Sequence, residues 1–294
     1  MYPLSIPNHR KFFYSISHFH KDASEFEAFV EKSFSSDMHM QDFFEINIIS
    51  SGEGMHYIEN QRYPARVGDV FIVPPLVKHG YRGTEDFDVI HLLYHPNYFE
   101  RNRDLLIQLP SFLTLFNIEP VLRMHGARAI NLKISESELR DIIKRYIEPL
   151  CEIGMSKNPR DKLRAQSYAT DFIIRSCEIY ERQEQPKVID NFIKSIMYMH
   201  IEYRNKITVE QLARMSGMSR TVYFSKFKNT FGTTPQAFLM AIRLEAVKNK
   251  LLTTALSLEE IAVGTGFHDA AHLSRFFKKA YGETPAQFRK KHLV

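Results

Sequence analysis

Short apolar runs separated by turn residues fill the chain between residues 43 and 94. The breaks contain Gly, Pro, Ser, Asn and Asp, which suit tight turns. Several strands at this spacing predict an antiparallel β-barrel, because closing the sheet leaves no edge strand exposed. The predicted strands are Phe43–Ile49, Met55–Ile58, Tyr63–Val67, Val70–Val73 and Phe87–Tyr94.

After Pro96 the apolar positions change to a helical period, most clearly in Ser135–Cys151 and Arg160–Glu184. Ser135 followed by Glu138 predicts a capping box at the start of the first of these helices. The second helix carries an apolar stripe, which indicates either packing against the barrel or a dimerisation face. The stripe consists of Leu163, Tyr168, Phe172, Ile173 and Ile179.

Two segments near the C-terminus repeat each other at a spacing of about fifty residues. Ile207–Ala213 matches Leu256–Ala262, and Phe231–Pro235 matches Tyr281–Pro285. Self-similarity of this size indicates a duplicated structural unit. Each copy has the pattern of a helix, a tight turn and a second helix, which predicts two helix-turn-helix units.

Signals at the helix ends support that interpretation. Gly217 and Gly266 stand in the turns, where positive φ or the close approach of two helices favours glycine. Ser, Thr and Asp begin the helices as N-caps, and i,i+4 pairs on the second helices are predicted to face the core. The capping residues are Thr208 with Gln211, Ser219, Ser257 with Glu260, and Asp269. The core-facing pairs are Tyr223/Phe227 and Leu273/Phe277.

The core-facing pairs leave a solvent-facing row on each second helix. A helix-turn-helix places the start of this helix in the DNA major groove, where Arg bonds guanine and small apolar groups contact the thymine methyl. The alternative is a pair of helical hairpins that only pack together. The predicted DNA-contacting rows are Arg220, Thr221, Phe224, Ser225 and Lys228 in the first unit, and Ala270, Ala271, Ser274, Arg275 and Lys278 in the second.

Composition and charge fit this organisation. The 294 residues are 44% hydrophobic and 25% charged, which predicts two folded domains and excludes disorder. Residues 1–185 hold 22 Lys and Arg against 26 Asp and Glu, whereas residues 186–294 hold 17 against 8. Because a cationic domain releases condensed counterions from nucleic acid, this asymmetry predicts a polyanionic partner for the C-terminal part.

Cysteine usage and hydropathy bear on the cellular compartment. Cys151 and Cys177 are too few for a disulfide framework and lack the spacing of a zinc or redox motif. The chain opens without a signal-peptide pattern and contains no run of about 18 apolar residues. We therefore expect a cytoplasmic protein with no membrane span.

The second helix-turn-helix unit and the helix before it carry specific motifs. These are Arg243–Ala246, Ile261–Phe267, Ser274–Lys279 and Gly282–Arg289. On these motifs the C-terminal part resembles the DNA-binding domain of the AraC/XylS family of transcription regulators. The resemblance implies a long connecting helix, Phe238–Leu252, and two recognition helices in successive major grooves about 34 Å apart. It places base contacts at Thr221, Phe224, Ser225, Ala270, Ala271, Ser274 and Arg275, of which Arg275 is the strongest candidate.

The N-terminal part carries a second resemblance, based on His39, Gln41, Glu45, Gly52, Gly68, Pro74 and His79. These residues resemble the two motifs of the cupin superfamily, whose metal-binding members surround one ion with three His and one Glu. Gln41 stands where the second His belongs. Three interpretations stay open: the set lines a pocket for a small polyol or sugar, it holds a metal, or the barrel binds nothing. We expect the first, with ligand-binding residues His39, Gln41, Glu45 and His79, and with His56, Tyr57, Tyr81 and His91 as further candidates.

Together these features predict a multi-domain α+β protein. Its expected parts are a cupin-like antiparallel β-barrel in residues 1–134, a helical dimerisation or packing segment in 135–184, a linker in 185–187 and an all-α double helix-turn-helix domain in 188–294. We expect a sequence-specific transcription activator without cofactor, metal or catalysis. Its expected partners are double-stranded DNA, a sugar effector, RNA polymerase and a second copy of the chain. The alternatives are a fatty-acid or aromatic effector, and a metal-binding cupin enzyme fused to a DNA-binding tail.

Overall fold

The computed structural model of the protein describes residues 13–14, 25–75, 77–124, 126, 132–154, 156–183 and 191–292. The predicted linker, residues 185–187, lies outside these described residues. The chain divides into two compact units. The β unit combines Pro7–Phe99 with Leu109–Gln185, and the helical unit combines Pro186–Val294 with Glu100–Gln108.

The strands of the β unit form two five-stranded sheets, in the orders β1-β3-β8-β5-β6 and β10-β7-β4-β9-β2. Their bounds are β1 Phe13–Tyr14, β2 Phe26–Glu31, β3 Ser36–Gln41, β4 Phe44–Ser51, β5 Glu53–Ile58, β6 Gln61–Arg66, β7 Asp69–Val73, β8 His79–Gly83, β9 Asp88–Tyr94 and β10 Leu132–Lys133. The paired strands are antiparallel apart from β1 and β3. The prediction of an antiparallel β-barrel is therefore confirmed.

The two sheets face each other across a buried interior. Asn47 of β4 donates a hydrogen bond from Nδ2 to the Tyr81 hydroxyl of β8 at 3.1 Å, which joins one sheet to the other. Apolar side chains pack beside this bond. They are Ile49, Ala65, Phe71, Phe87 and Val89. Polar and apolar side chains thus lie side by side in the barrel interior.

All five sequence-predicted strands are present, at slightly different bounds. The longer strands β2, β3 and β8 lie outside the sequence prediction, and β8 shows why. A Cβ at Gly80 would lie 2.9 Å from the Ser36 carbonyl oxygen of β3, so glycine permits the close approach of these strands. Glycine lowers strand propensity, so Gly80, which this pairing requires, also weakens the sequence signal for β8.

Helices follow the barrel, and two of them are preceded by π-helical turns. The bounds are α1 Pro96–Arg101, α2 Arg103–Leu106, α3 Pro110–Phe112, α4 Glu119–Met124, α5 Glu136–Ile142, α6 Glu148–Ile153 and α7 Pro159–Arg182. The π turns Leu113–Ile118 and Ile143–Ile147 come just before Pro120 and Pro149. Because proline has no N–H to continue the α-helical ladder, the predicted single helix Ser135–Cys151 is divided by a π turn.

The predicted capping box of Ser135 and Glu138 is present at the start of α5. The apolar stripe of α7 divides between two environments. Phe172 is buried in the β unit, and the Tyr94 hydroxyl of β9 donates to the Ala169 carbonyl of α7 at 3.0 Å. The side chain of Leu163 is 68% exposed. Most of the stripe therefore packs within the β unit, and its first residue faces solvent.

The helical unit consists of two helix-turn-helix pairs joined by one long helix. Its further helices are α8 Asn191–Ile201, α9 Val209–Met215, α10 Arg220–Phe231, α11 Pro235–Thr253, α12 Leu258–Gly264, α13 Ala270–Tyr281 and α14 Pro285–His292. The connecting helix α11 contains the predicted Phe238–Leu252 and extends past both ends of it. Among the helices described in either unit, none combines the length and the apolar character needed to cross a membrane.

The starts of α9 and α12 differ in one capping bond. Ser257 and Glu260 form the complete capping box predicted for α12. At α9, Thr208 accepts a hydrogen bond from the Gln211 backbone N–H, but the Gln211 side chain donates to the Tyr198 hydroxyl at 2.8 Å. The prediction of a capping box at Thr208 is therefore half correct, because α8 supplies a competing acceptor for the glutamine.

The two turns have the backbone that the sequence predicts. Gly217 has φ +65° and Gly266 has φ +80°, and Ser219 and Asp269 are the N-caps of the helices that follow. A Cβ at Gly217 would meet nothing within 4 Å, whereas one at Gly266 would lie 2.8 Å from the Arg204 carbonyl oxygen. Gly266 is therefore required both for its backbone conformation and for space.

Candidate functional site

Each recognition helix of the helical unit presents one buried and one exposed face. Tyr223 and Phe227 of α10 and Leu273 and Phe277 of α13 are fully buried, as predicted. On the opposite faces, seven of the ten predicted DNA-contacting residues are exposed: Arg220, Thr221, Ser225, Lys228, Ala271, Arg275 and Lys278. Phe224, Ala270 and Ser274 are half-buried. The two rows thus combine cations, hydroxyls and methyl groups on accessible helix faces.

The two arginines of these rows have different surroundings. Arg220 Nε lies 2.7 Å from Glu210 Oε1 of α9, so its guanidinium is held in an ion pair. The Arg275 guanidinium lies 5.8 Å from the ring centroid of Phe276 and has no carboxylate partner within the described part of the chain. Of the two, Arg275 is therefore the one available to a base edge.

Val222 belongs to the same surface, although the sequence analysis does not place it there. It lies in the first turn of α10, and its side chain is 55% exposed. An exposed branched apolar side chain at this position suits contact with a thymine methyl. Its position directly beside Thr221 in the first helical turn is the signal that would have identified it.

The four predicted effector residues converge inside the barrel, and we call them the carboxylate cluster: His39, Gln41, Glu45 and His79. Glu45 Oε2 lies 2.9 Å from His79 Nε2 and accepts a hydrogen bond from Gln41 Nε2 at 3.3 Å. The His39 and His79 rings lie 4.4 Å apart between centroids. His91, a further candidate, joins the cluster because its Nδ1 lies 2.8 Å from Glu45 Oε1. Tyr57 is half-buried and has no contact with these groups among those described.

Glu45 carries its charge in a buried site. Burial opposes ionisation, but hydrogen bonds from His79 and His91 outweigh it and hold the pKa of Glu45 well below its usual range. Burial and the nearby His79 lower the pKa of His39, so its imidazole is neutral at pH 7. The cluster is therefore one ionised carboxylate among imidazoles.

The contacts of the imidazole nitrogens bear on whether the carboxylate cluster can bind an ion. His39 Nδ1 lies 2.8 Å from the Asp37 carbonyl oxygen and His79 Nδ1 lies 3.3 Å from that of Val77, so the outer nitrogen of each ring faces a backbone acceptor. His79 Nε2 faces Glu45 Oε2 at 2.9 Å, so an ion bound there would take the place of the hydrogen bond between them.

A metal ion is compatible with these side chains. The ligand atoms of His39, Glu45 and His79 all lie within 4.8 Å of one another, and Gln41 Oε1 is buried with no partner among the described residues. Imidazole and carboxylate suit divalent transition metals, and histidines that donate their outer N–H to a carbonyl are typical metal ligands. The residues therefore fit such an ion, which would polarise a hydroxyl or carboxylate of a bound molecule.

A second polar group lies next to the first in the barrel interior, and we call it the amide cluster: Asn47, His56, Tyr81 and Arg123. All four side chains are at most 1% exposed. The His56 ring stacks on Tyr81 at 4.5 Å and lies 6.0 Å from the His79 ring of the carboxylate cluster. Arg123 reaches the barrel from α4 and contacts His56 Nδ1 through Nη1 at 3.4 Å.

Two family models match the chain, and each falls on one of these sites. Residues 29–172 match the AraC-like ligand binding domain, which spans the barrel and the helices that follow it. Residues 212–291 match a helix-turn-helix domain, which spans both recognition helices. This protein is an AraC-family regulator. It binds DNA through the helical unit and carries an N-terminal ligand-binding domain.

Relatives of this AraC-family chain are transcription activators. It is 44% identical over 87 residues to the transcriptional activator NphR of Rhodococcus sp., covering 29% of this chain and 25% of that protein. It is 23% identical over 253 residues to the transcriptional activator RhaS of Pectobacterium carotovorum, covering 85% and 86%. The solved structure of ToxT from Vibrio cholerae matches with 10% identity and a TM-score of 0.37, covering 92% of this chain and 100% of that one.

Proposed function

We propose that this activator binds a small polyhydroxylated effector, of the sugar class, inside its barrel. The barrel interior carries the proposal, because it is polar where an ordinary core is apolar. Its buried polar side chains are Gln41, Glu45, Asn47, His56, His79, Tyr81, His91 and Arg123. A hydroxyl both donates and accepts hydrogen bonds, so a polyol matches this mixture of donors and acceptors. His39, Gln41, Glu45 and His79 are the proposed first contacts.

The same polar lining disfavours a fatty acid or an aromatic hydrocarbon. An apolar effector would leave buried donors and acceptors unpaired, which costs about 1–3 kcal/mol for each group. The polar lining needs only to bind the effector and not to react with it. The relatives named above are activators. We therefore propose a regulator in which effector binding shifts the population of a DNA-binding-competent state.

The proposed DNA contacts are the two rows on the recognition helices. We assign base readout to the positions that the AraC/XylS resemblance implies and phosphate contact to the remaining cations of the two rows, since a recognition helix lies in the major groove with its exposed face toward the DNA. The base-reading set is Thr221, Phe224, Ser225, Ala270, Ala271, Ser274 and Arg275. The phosphate-contacting set is Arg220, Lys228 and Lys278. A homodimer, joined through the exposed side of α7, would present four such helices and recruit RNA polymerase at the promoter.

Thermal unfolding of the full chain with a panel of ligands tests the effector class. The panel contains neutral sugars and polyols, sugar acids, fatty acids, aromatic acids and divalent metals with chelator controls. An effector at about 100 times its Kd stabilises the domain it binds by about 2.7 kcal/mol. We expect a neutral sugar or polyol to do so, and His39→Ala to lose the shift while DNA binding is retained. Stabilisation by a fatty acid or an aromatic acid alone would contradict the proposal.

A divalent metal ion is the second candidate effector, favoured by the three ligand atoms within 4.8 Å. On this alternative the protein is a metal-responsive regulator. Zn²⁺ or Mn²⁺ would then stabilise the chain at one equivalent, the chelator would reverse the effect, and Gln41→His would strengthen binding by supplying a fourth strong ligand. Stabilisation that the chelator does not reverse would exclude a divalent metal ion as the effector.

A further inference from the structure

The amide cluster contains buried polar atoms whose hydrogen bonds are incomplete. Asn47 Oδ1, His56 Nε2 and Arg123 Nε are buried and have no partner among the described residues. Folded proteins pair nearly all such atoms, because an unpaired buried donor or acceptor loses its hydration without compensation. Three unpaired atoms in one cluster, next to the carboxylate cluster, therefore indicate a missing bonding partner.

The contact with Arg123 fixes which atom of His56 carries the proton. A guanidinium only donates, so His56 Nδ1 accepts from Arg123 Nη1 at 3.4 Å. Because Nδ1 accepts this hydrogen bond, it carries no proton, and the ring is neutral. Its single proton is then on Nε2, which makes the unpaired atom of His56 a hydrogen-bond donor.

Asn47 supplies the complementary group. Its Nδ2 donates to the Tyr81 hydroxyl at 3.1 Å, and this leaves Oδ1 as an acceptor without a donor. The pair Asn47 and His56 thus offers one free acceptor and one free donor inside the barrel. A ligand hydroxyl satisfies both kinds of group, since it donates one hydrogen bond and accepts others.

The charge balance indicates that the ligand group is neutral. Arg123 Nη2 lies 2.5 Å from Glu119 Oε2 and 3.0 Å from the Ile72 carbonyl oxygen, and the guanidinium lies over the Phe71 ring at 5.1 Å. The cation is therefore already compensated by a carboxylate of its own helix. An anionic ligand group would meet no uncompensated positive charge at this position.

We propose that the amide cluster is a second hydroxyl-binding subsite of the effector site, in which Asn47 and His56 contact the ligand and Arg123 positions His56. The inference rests on the proposed function and narrows the effector to a neutral sugar or polyol. Such a ligand reaches both clusters, since the His56 and His79 rings are only 6.0 Å apart between centroids. Sugar acids are then the weaker ligands.

The double variant Asn47→Leu/Tyr81→Phe tests the subsite, because it removes both partners of one hydrogen bond and leaves no new unpaired group. The probes are D-xylose, D-galactose, xylitol and myo-inositol, with D-gluconate as the anionic comparison. We expect the unliganded double variant to unfold at or above the wild-type Tm, and the Kd of the best neutral probe to rise at least tenfold. Thr114→Val, which removes a buried hydroxyl bonded to the Pro110 carbonyl, is the matched control and keeps wild-type affinity.

The outcomes separate the subsite from the function. If a neutral probe binds wild type and double variant equally, the subsite is wrong and the proposed function stands. If D-gluconate binds the wild type more tightly than every neutral probe, the inference of a neutral ligand is overturned. If no neutral probe binds the wild type, both this inference and the proposed function are overturned. Should the double variant not fold, Tyr81→Phe removes one oxygen only and gives the same comparison, since Asn47 loses the bond that orients it.

Nitrogen-15 spectra of the His56 ring test the role of Arg123 independently of any ligand. The positioning role requires a neutral ring with its proton on Nε2 at pH 7. A ring protonated on Nδ1 would contradict the donor assignment. It would also show that Arg123 does not set the tautomer.

Discussion

Arg275 is the residue on which sequence readout depends most directly in this account. Its guanidinium has no carboxylate partner among the described residues, and it lies on the exposed face of α13. We expect Arg275→Ala to relax discrimination at one base pair of the operator by about 1–3 kcal/mol. Competition binding against single-base variants of the preferred site measures this effect.

Lys278→Ala is the matched control for that variant, one helical turn farther along α13. As a phosphate contact it is expected to weaken binding to all sequences alike and to reduce the slope of log affinity against log salt by about 1. If Arg275→Ala also weakened every sequence equally, the assignment of Arg275 to a base edge would be wrong.

His200 gives the helical unit a defined response to acid. Burial lowers the pKa of His200 from 6.5 to about 3, and neither ring nitrogen has a partner among the described residues. The unfolded chain binds a proton near pH 6.5, whereas the folded chain does so only near pH 3. The neutral ring therefore contributes stability above about pH 6.5, and this is lost as the pH falls toward 3.

His200→Leu removes that titration without leaving an unpaired polar atom. Between pH 7.5 and 5.5 we expect the free energy of unfolding of the helical unit to fall in the wild type and to fall less in the variant. Denaturant unfolding at the two pH values measures the difference. Equal losses would show that His200 does not titrate on unfolding in this range.

Among the elements, the two helix-turn-helix turns differ in how strictly they require glycine. Gly217→Ala places an L side chain at φ +65° in open space, at a cost of about 1–2 kcal/mol. Gly266→Ala has the same backbone strain and also meets the Arg204 and Tyr203 carbonyl oxygens at 2.8 and 2.9 Å. We expect the second variant to lower the Tm further, as measured by thermal unfolding. Equal losses would contradict the steric argument.

The element α4 contains a buried ion pair of Glu119 and Arg123, four residues apart on the helix. Arg123→Met leaves the Glu119 carboxylate unpaired among buried groups, which costs about 3–5 kcal/mol. Replacing both residues, as in Glu119→Leu/Arg123→Met, is expected to recover the part of the loss that comes from the unpaired carboxylate, whereas the Ile72 carbonyl and His56 Nδ1 lose their contact with Arg123 in both variants. Chemical denaturation of the two variants tests this expectation, and an equal loss in both would refute it.

Sequence patterns predicted the elements that rely on local signals. The repeated caps Ser219 and Asp269 and the turn glycines marked both helix-turn-helix units, because these residue types are dictated by backbone geometry alone. Strand β8 was not predicted because Gly80 serves a tertiary contact, the close approach to β3. The π turn before Pro149 was not predicted, although the proline, which has no N–H for the helical ladder, is a local signal for it.

At the scale of the whole molecule, the resemblance to the cupin motifs identified His39, Glu45 and His79 of the carboxylate cluster, which strands β3 and β8 and the start of β4 bring together. Of the amide cluster, His56 and Tyr81 were further candidates from the sequence, whereas Asn47 and Arg123 were not predictable in the same way. Asn47 lies in a strand with an apolar pattern, and Arg123 arrives from a helix far along the chain. Only the packing of α4 against the barrel makes these two residues members of one site.

The division of charge along the chain matches the division of roles between barrel and recognition helices. With 17 Lys and Arg against 8 Asp and Glu in residues 186–294, the helical unit is expected to bind duplex DNA with an affinity that falls steeply with salt. Acidic residues outnumber basic ones in the part that holds the barrel. This charge distribution favours polyanion binding by the helical unit over binding by the barrel.

Selection of preferred sites from a pool of random duplex DNA by the full chain tests the central claim most directly. Two recognition helices on one chain predict an enriched motif of two base blocks, with centres about one helical turn, or 10–10.5 base pairs, apart. Arg275→Ala is expected to reduce the base preference at one position within one of the two blocks. A pool that remains unenriched at physiological salt, or a motif with a single block, would contradict a double helix-turn-helix regulator.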